Sequence, residues 1–239
     1  MIADQKVIAV IPARGGSKSV PLKNLKLLGA KPLVLWPIET ALSTPEIDRT
    51  ILSTDDSSIA AVGAEAGAEV YLRPDSLSGD RSLVVDALRH LRDQLLSEGE
   101  RVDILVLLEP TSPFRSPSLV SRCLSRMISE QLDSIATFHA SSINPHRLWK
   151  IDASNPRPFI EGANPWKPRQ TLPAAFQLNG AVYAFRAWNL PLTGPSVLFG
   201  KIGAEVVPAE DVVDIDDQRD FIIANAILES RRTISCSSF

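Results

Sequence analysis

The chain has 239 residues, 44% of them hydrophobic and 22% charged, with a formal net charge of −3. That length suits one α/β domain with room for a sizeable insertion, and it is enough to bury a real core. The mildly acidic balance points to neither a nucleic-acid backbone nor an anionic membrane as the main partner, and no apolar run approaches the ~20 residues of a membrane span.

The opening "MIADQKVIAVIPA" has too short an apolar core for a signal peptide and reads as a first strand. Its run "KVIAVIPA" is apolar throughout, as in a strand covered on both faces. A glycine-rich loop follows, then "KPLVLWPIETALS", helical past Pro37. "DRTILSTD" reads as a second strand. "DSSIAAVGAEAG" reads as a helix with Asp56 as N-cap and Gly67 just past its end. "AEVYLR" is a short strand, "SLVVDALRHLRDQLLSEG" a helix that stops at glycine, and "VDILVLLEP" another fully apolar strand. After "LDSIATFHA" the rhythm breaks. Residues 144–173 are rich in Pro, Asn, Trp and Arg and have little periodicity, so they read as an excursion from the sheet and not as a separate domain. "AFQLNGAVYAFR" returns as a strand in which Asn179-Gly180 marks either a hairpin turn or a bulge. "AEVVPAEDVVDIDD" is a late strand with an acidic turn, and "QRDFIIANAILESRR" a closing helix. The tail "RRTISCSSF" is small, polar and expected to fray. Strand and helix alternating in this way predict a mostly parallel sheet with helices on both faces and ligands at the strands' carboxyl ends. Cys123 and Cys236 have no metal or redox spacing. They read as a buried thiol and a tail thiol of a cytoplasmic protein.

The polar clusters fall at those carboxyl ends: "ARGGSK", "STDD" and "EPTSPFR". "ARGGSKSVPLKN" matches neither a Walker A loop nor G-x-G-x-x-G, which argues against a dinucleotide fold. Its chemistry still suits phosphate. Gly15 and Gly16 let backbone N–H groups approach an anion, and Arg14, Lys18 and Lys23 offer up to three positive charges. Asp214 and Asp216 lie two apart, so on an extended segment they point the same way and could share one Mg²⁺. The alternative is a polar strand end leading into the N-cap of the last helix, with Asp217 as the cap.

The longer string "IPARGGSKSVPLKN" resembles the amino-terminal signature of cytidylyltransferases that activate sialic acids and related nonulosonic acids. "LLEPTSPFR", "PRQTLPAAFQLNGAVY" and "VDIDDQRDF" match further motifs of that family, in order, across nearly the whole chain. The resemblance implies a Rossmann-like α/β nucleotidyltransferase. It would join CTP to an acidic nine-carbon sugar with Mg²⁺ and release pyrophosphate. It also implies a homodimer in which the 144–173 excursion covers the partner's active site. By the same resemblance Arg14 and Lys23 contact the triphosphate and are the catalytic cations. Gly15, Gly16, Ser17 and Asn24 help hold the nucleotide, and Arg73 and Asp80 lie near its base. Asp214 and Asp216 hold the metal. Arg147 and Arg169 reach the sugar carboxylate across the dimer through paired guanidinium hydrogen bonds. Glu109 and Asn179 complete the sugar-facing set.

Glu109 departs from the family, where glutamine is common at the matching position, and Gln177 departs where a basic residue is common. Both put the identity of the sugar in question more than the CTP chemistry. Asp55, His139 and His146 read as structural. Three alternatives stay open: another acid acceptor, such as an amino-substituted eight-carbon ulosonate or a phosphonate; GTP with a sugar 1-phosphate; and a non-catalytic nucleotide-binding subunit.

Overall fold

The computed structural model describes residues 1–17, 19–79 and 82–236. In chain order the strands and α-helices are β1 (Val7–Pro12), β2 (Leu27–Leu28), β3 (Lys31–Pro32), α1 (Leu35–Leu42), β4 (Arg49–Thr54), α2 (Ser57–Glu65), β5 (Glu69–Leu72), α3 (Val84–Ser97), β6 (Ile104–Leu107), α4 (Pro117–Ser129), β7 (Ser134–Ala140), β8 (Trp149–Asp152), β9 (Asn155–Pro158), β10 (Phe176–Arg186), β11 (Ile202–Val206) and α5 (Gln218–Cys236). Seven strands form one sheet in the order β11-β7-β10-β6-β1-β4-β5. β1 pairs in parallel with β4 and β6, β4 with β5, and β11 with β7. β10 alone runs antiparallel, between β6 and β7. The chain is therefore an α/β protein with a Rossmann-like, mostly parallel sheet.

The continuous apolar run of β1 is explained by two cores. Val7, Ala9 and Ile11 pack with residues of α1, α2 and α4, whereas Ile8 and Val10 pack with Val85, Leu88, Leu91 and Leu95 of α3. Successive strand side chains point to opposite faces, so a strand buried on both sides needs apolar residues at every position. A third cluster matters more for the site. Val20, Leu28 and Leu33 pack with Val213, Ile215, Phe221 and Ala224, tying the glycine-rich loop to the acidic turn and to α5.

Helix ends follow the local chemistry. The Asp56 carboxylate accepts from Ser58 N–H and Ile59 N–H at 2.8 and 3.0 Å, a cap of the kind worth about 1 kcal/mol. α1 starts ahead of Pro37, which sits in the first turn where its missing N–H leaves no bond unmade. α4 has no counterpart in the sequence reading. It is announced by Ser116, whose hydroxyl accepts from Leu119 N–H, and by Pro117 in its first turn. α5 runs on to Cys236, through most of the tail expected to fray. Cys123 is fully buried, and burial pushes its thiol up to about 12.

Asn179-Gly180 is a bulge, not a hairpin turn: the β10–β7 register shifts between Leu178 and Tyr183. Residues 144–173 leave the sheet after β7 and carry the two-stranded β8–β9 hairpin before β10 returns. Their surface exposes Trp149, Ile151, Phe159 and Trp166. No helix among the described residues is long and apolar enough to cross a membrane.

Candidate active site

A cavity of about 250 Å³ opens at the carboxyl ends of β1, β5 and β6. Arg14, Lys23, Asn24, Arg73, Glu109 and Thr111 line it, with Leu77 and Val84 as an apolar wall. Cations thus converge from two separate chain segments, the glycine-rich loop and the turn after β5, as suits a polyanion site.

The glycine-rich loop is held in place by its own bonds. Gly15 N–H donates to Asp55 Oδ1 at 2.9 Å, and a Cβ on Gly15 would meet Asp56 Oδ2 at 2.7 Å. That N–H is therefore taken by a carboxylate in this state, and Asp55 has the structural role expected of it. A Cβ on Gly16 would meet nothing within 4 Å; the residue is exposed and does not itself line the cavity. Ser17 lines the cavity, and its N–H donates to Gly15 O. Asn24 is 6% exposed and donates from Nδ2 to Arg14 O at 3.0 Å, so its amide shapes the loop that presents Arg14. Arg14 Nη1 reaches Gly79 O at 3.4 Å. Arg73 is anchored by Ser53 O at 3.0 Å and Ser53 Oγ at 3.3 Å; burial lowers its pKa, and Asp55 works in the opposite sense. Lys18 and Asp80 lie outside the described residues.

Lys23 links the loop to the acidic turn. Its Nζ donates to Ile215 O at 2.8 Å and lies 3.6 Å from Asp216 Oδ1, while the Ser19 hydroxyl donates to Asp216 O. Val213 and Ile215 are buried and Asp214 and Asp216 face outward, so the two carboxylates do share one side of an extended segment. The Asp214 carboxyl lies against Thr111, and desolvation together with the neighbouring Asp216 raises its pKa. Two mutually repelling carboxylates with hard oxygen donors fit a divalent cation. Among the described residues no group of three or more His, Cys, Asp or Glu side chains stands ready for a metal, so other ligands would have to come from water or phosphate. Asp217 also acts as the α5 cap: its carboxylate accepts from Arg219 N–H and Asp220 N–H, and Asp220 accepts in turn from Asp216 and Asp217 N–H. The capping role thus falls on Asp217 and not on Asp214 or Asp216.

Glu109 follows β6 and is largely buried. Burial, with Asp214 next in weight, pushes its carboxyl up to about 7, while Arg115 acts in the opposite direction. Arg115 is itself buried and pushed down to about 9, and its Nη2 donates to Glu109 O. Thr111 and Arg115 both stand in "EPTSPFR". Nothing in the string says which of its side chains turn inward.

The remaining candidates lie elsewhere. Asn179 is 3% exposed; its Oδ1 accepts from Thr137 Oγ1 and Ala181 N–H, which fixes the β10 bulge. It lines a second cavity of about 300 Å³ behind the "PTSPFR" turn, not the cavity that holds Arg14 and Lys23. The second cavity is larger but carries none of the glycine-rich loop, so the first is the candidate active site. Arg147 donates to Lys167 O at 2.9 Å, and Arg169 opens a short 3₁₀ turn at residues 169–171. Both belong to the excursion, and neither lines the first cavity. His139 is not the hydrogen-bonded structural histidine expected: its buried Nδ1 finds no partner among the described residues.

Comparison with known proteins agrees with the fold. N-acylneuraminate cytidylyltransferase of Escherichia coli O18:K1:H7 is 28% identical over 95% of this chain and 53% of its own length. Pseudaminic acid cytidylyltransferase of Campylobacter jejuni is 27% identical over 93% of this chain and 96% of its own. The chain spans about half the length of the first curated relatives it matches. The solved structure of CMP:2-keto-3-deoxy-manno-octonic acid synthetase complexed with CTP superposes with a TM-score of 0.71 at 19% identity, over 95% of this chain and 100% of that one, a likeness of fold. The model of the family described as cytidylyltransferase matches residues 8–188, and the chain belongs to that family.

Proposed function

We propose that this chain transfers CMP from CTP to the anomeric hydroxyl of a sialic acid or related nonulosonic acid and releases pyrophosphate. The observation that carries this reading is the convergence of Arg14, Lys23 and Arg73 on one cavity beside Glu109, in a member of the cytidylyltransferase family. The acids named for its relatives indicate the class of acceptor.

In the reaction the acceptor oxygen bonds to the α-phosphorus as the bond from that phosphorus to the β-phosphate oxygen breaks. The electron pair leaves with pyrophosphate, and the hydroxyl proton passes to a base in the site or in solvent. Arg14 and Lys23 neutralise the triphosphate and keep it in line, which lowers the barrier most where charge builds up. Lys23 starts from its seat on Ile215 O, so a triphosphate has to draw the ammonium from a main-chain carbonyl and from Asp216. Asn24 and Asp55 hold the loop from which Arg14 and Gly16 act. Asp214 and Asp216 would hold Mg²⁺, which when bound neutralises phosphate charge and orients the phosphates.

Arg147 and Arg169 serve the acceptor carboxylate from the neighbouring subunit of a homodimer. Exposed Trp149, Ile151, Phe159 and Trp166 on the same excursion support an interface there. The cytoplasm, where CTP is available, is the compartment this reading assigns. The test is pyrophosphate release with each nucleoside triphosphate and a panel of nonulosonic, eight-carbon and phosphonate acids. The proposal expects release with CTP and a nonulosonic acid. Release only with GTP, or with no acid, overturns it.

A further inference from the structure

Glu109 carries a carboxyl group that no hydrogen-bond donor satisfies among the described residues, although it is largely buried and lines the cavity. Its position is built. Gly180 has φ +70, and a Cβ there would meet Ser112 Oγ at 2.5 Å and Glu109 Oε2 at 2.8 Å. The carboxyl is therefore seated on the bare Cα of a bulge that only glycine tolerates. Ser112 turns away and donates to Asn179 O at 2.7 Å. Arg115 approaches from behind, and its Nη2 is spent on the Glu109 main-chain carbonyl. Asp214 and Asp216 act on the same carboxyl as like charges.

The cavity is thus bipolar. Arg14, Lys23 and Arg73 form a cationic side suited to phosphates, and the Glu109 carboxyl forms an acidic side. A buried carboxylate without a donor is costly, and an ionised one only accepts. An acidic acceptor would be repelled by this side unless the part of it that lies there brings positive charge. We propose that Glu109 selects an acceptor acid bearing a protonated amine, so that the preferred substrate is a zwitterionic amino-sugar acid and not its N-acylated form. The ammonium donates to the Glu109 carboxylate, while the acceptor's own carboxylate faces arginine. This inference rests on the cytidylyltransferase reading above and narrows its substrate class.

The experiment uses matched pairs of nonulosonic acids, each identical but for a free amine or an N-acetyl group at one carbon. kcat/KM for pyrophosphate release from CTP is measured at pH 7.5 for the native chain and for Glu109→Gln, with the thermal melt of each as a folding control. The native chain should favour the amine of one pair by roughly ten- to a hundred-fold, the range of one hydrogen bond to a charged group. Glu109→Gln should lose or reverse that preference. No preference in the native chain at any position overturns the inference without recourse to the variant. So does an unchanged ratio in Glu109→Gln. A preference for the N-acetyl form that strengthens below pH 7 would mean that protonated Glu109 stands in for an amide, and a shift only in the Mg²⁺ requirement would move Glu109 to the metal; each overturns the inference. Turnover with an unchanged ratio sinks this inference alone, whereas no turnover with any acid sinks the cytidylyltransferase reading too.

Discussion

Replacing Lys23 with alanine separates a role in binding charge from a role in holding the fold. In the folded chain Lys23 Nζ donates to Ile215 O at 2.8 Å and lies 3.6 Å from Asp216 Oδ1, with its side chain 12% exposed. The carbonyl bond contributes about 1 kcal/mol. The Asp216 contact adds less, because that carboxylate is 79% exposed and screened by water. A loss of about 1 kcal/mol lowers Tm by roughly 2–4 °C in a domain of this size. The effect on chemistry should be far larger. Removing one charge-stabilising group from a transition state costs roughly 10²-fold or more in turnover. Lys23→Ala should therefore stay folded, melt a few degrees lower, and lose at least two orders of magnitude in pyrophosphate release at saturating CTP. Near-normal turnover would remove Lys23 from the catalytic machinery. A collapse of the melt by tens of degrees would show that its main task is to hold the loop to the acidic turn.

Three further outcomes follow from the same geometry. Activity should vanish in excess chelator and return with Mg²⁺ or Mn²⁺, and Asp216→Asn should raise the metal concentration needed for half-maximal rate; full activity in chelator rejects the metal assignment. Mixing inactive Arg169→Ala and Lys23→Ala chains should restore part of the activity, because one site of each mixed dimer carries neither lesion. No recovery after proven subunit exchange removes the shared site. Glu109 also makes stability depend on pH. Its carboxyl sits near 7 in the folded chain and near 4.3 unfolded, so the folded state binds more protons in between and stability falls as pH rises through that window. Glu109→Gln escapes this loss, so its melting advantage should grow from pH 5 to pH 8, by at most about 3 kcal/mol; a difference that does not vary with pH contradicts the burial of that carboxyl.

Much of the sheet was legible because both-face burial leaves an unbroken apolar run, as in β1 and β6, and because Asp56 and Gly67 punctuate α2. α4 was not, since its buried Leu119, Val120, Cys123, Leu124 and Met127 alternate with Ser and Arg in a string that follows directly on a turn. Local signals also hid the direction of β10: an antiparallel strand between two parallel neighbours carries the same apolar pattern as a parallel one. In the site, Arg14 and Lys23 were visible as charges beside glycines. The division of labour was not. Gly15 N–H spends its bond on Asp55, Asn24 on Arg14 O and Asn179 on the bulge, and such side-chain-to-backbone bonds depend on which segments the fold brings together. Asp214 and Asp216 pointed the same way as their spacing predicted, because the turn stays extended until Asp217 caps α5.

The most direct test of the account is the mass of the product formed when the purified chain is incubated with CTP, Mg²⁺ and a panel of nonulosonic acids. The account predicts a CMP ester of one of these acids, formed in equal amount with pyrophosphate and absent when ATP, GTP or UTP replaces CTP. Free CMP without an ester, or an ester formed equally well from another nucleotide, would contradict it.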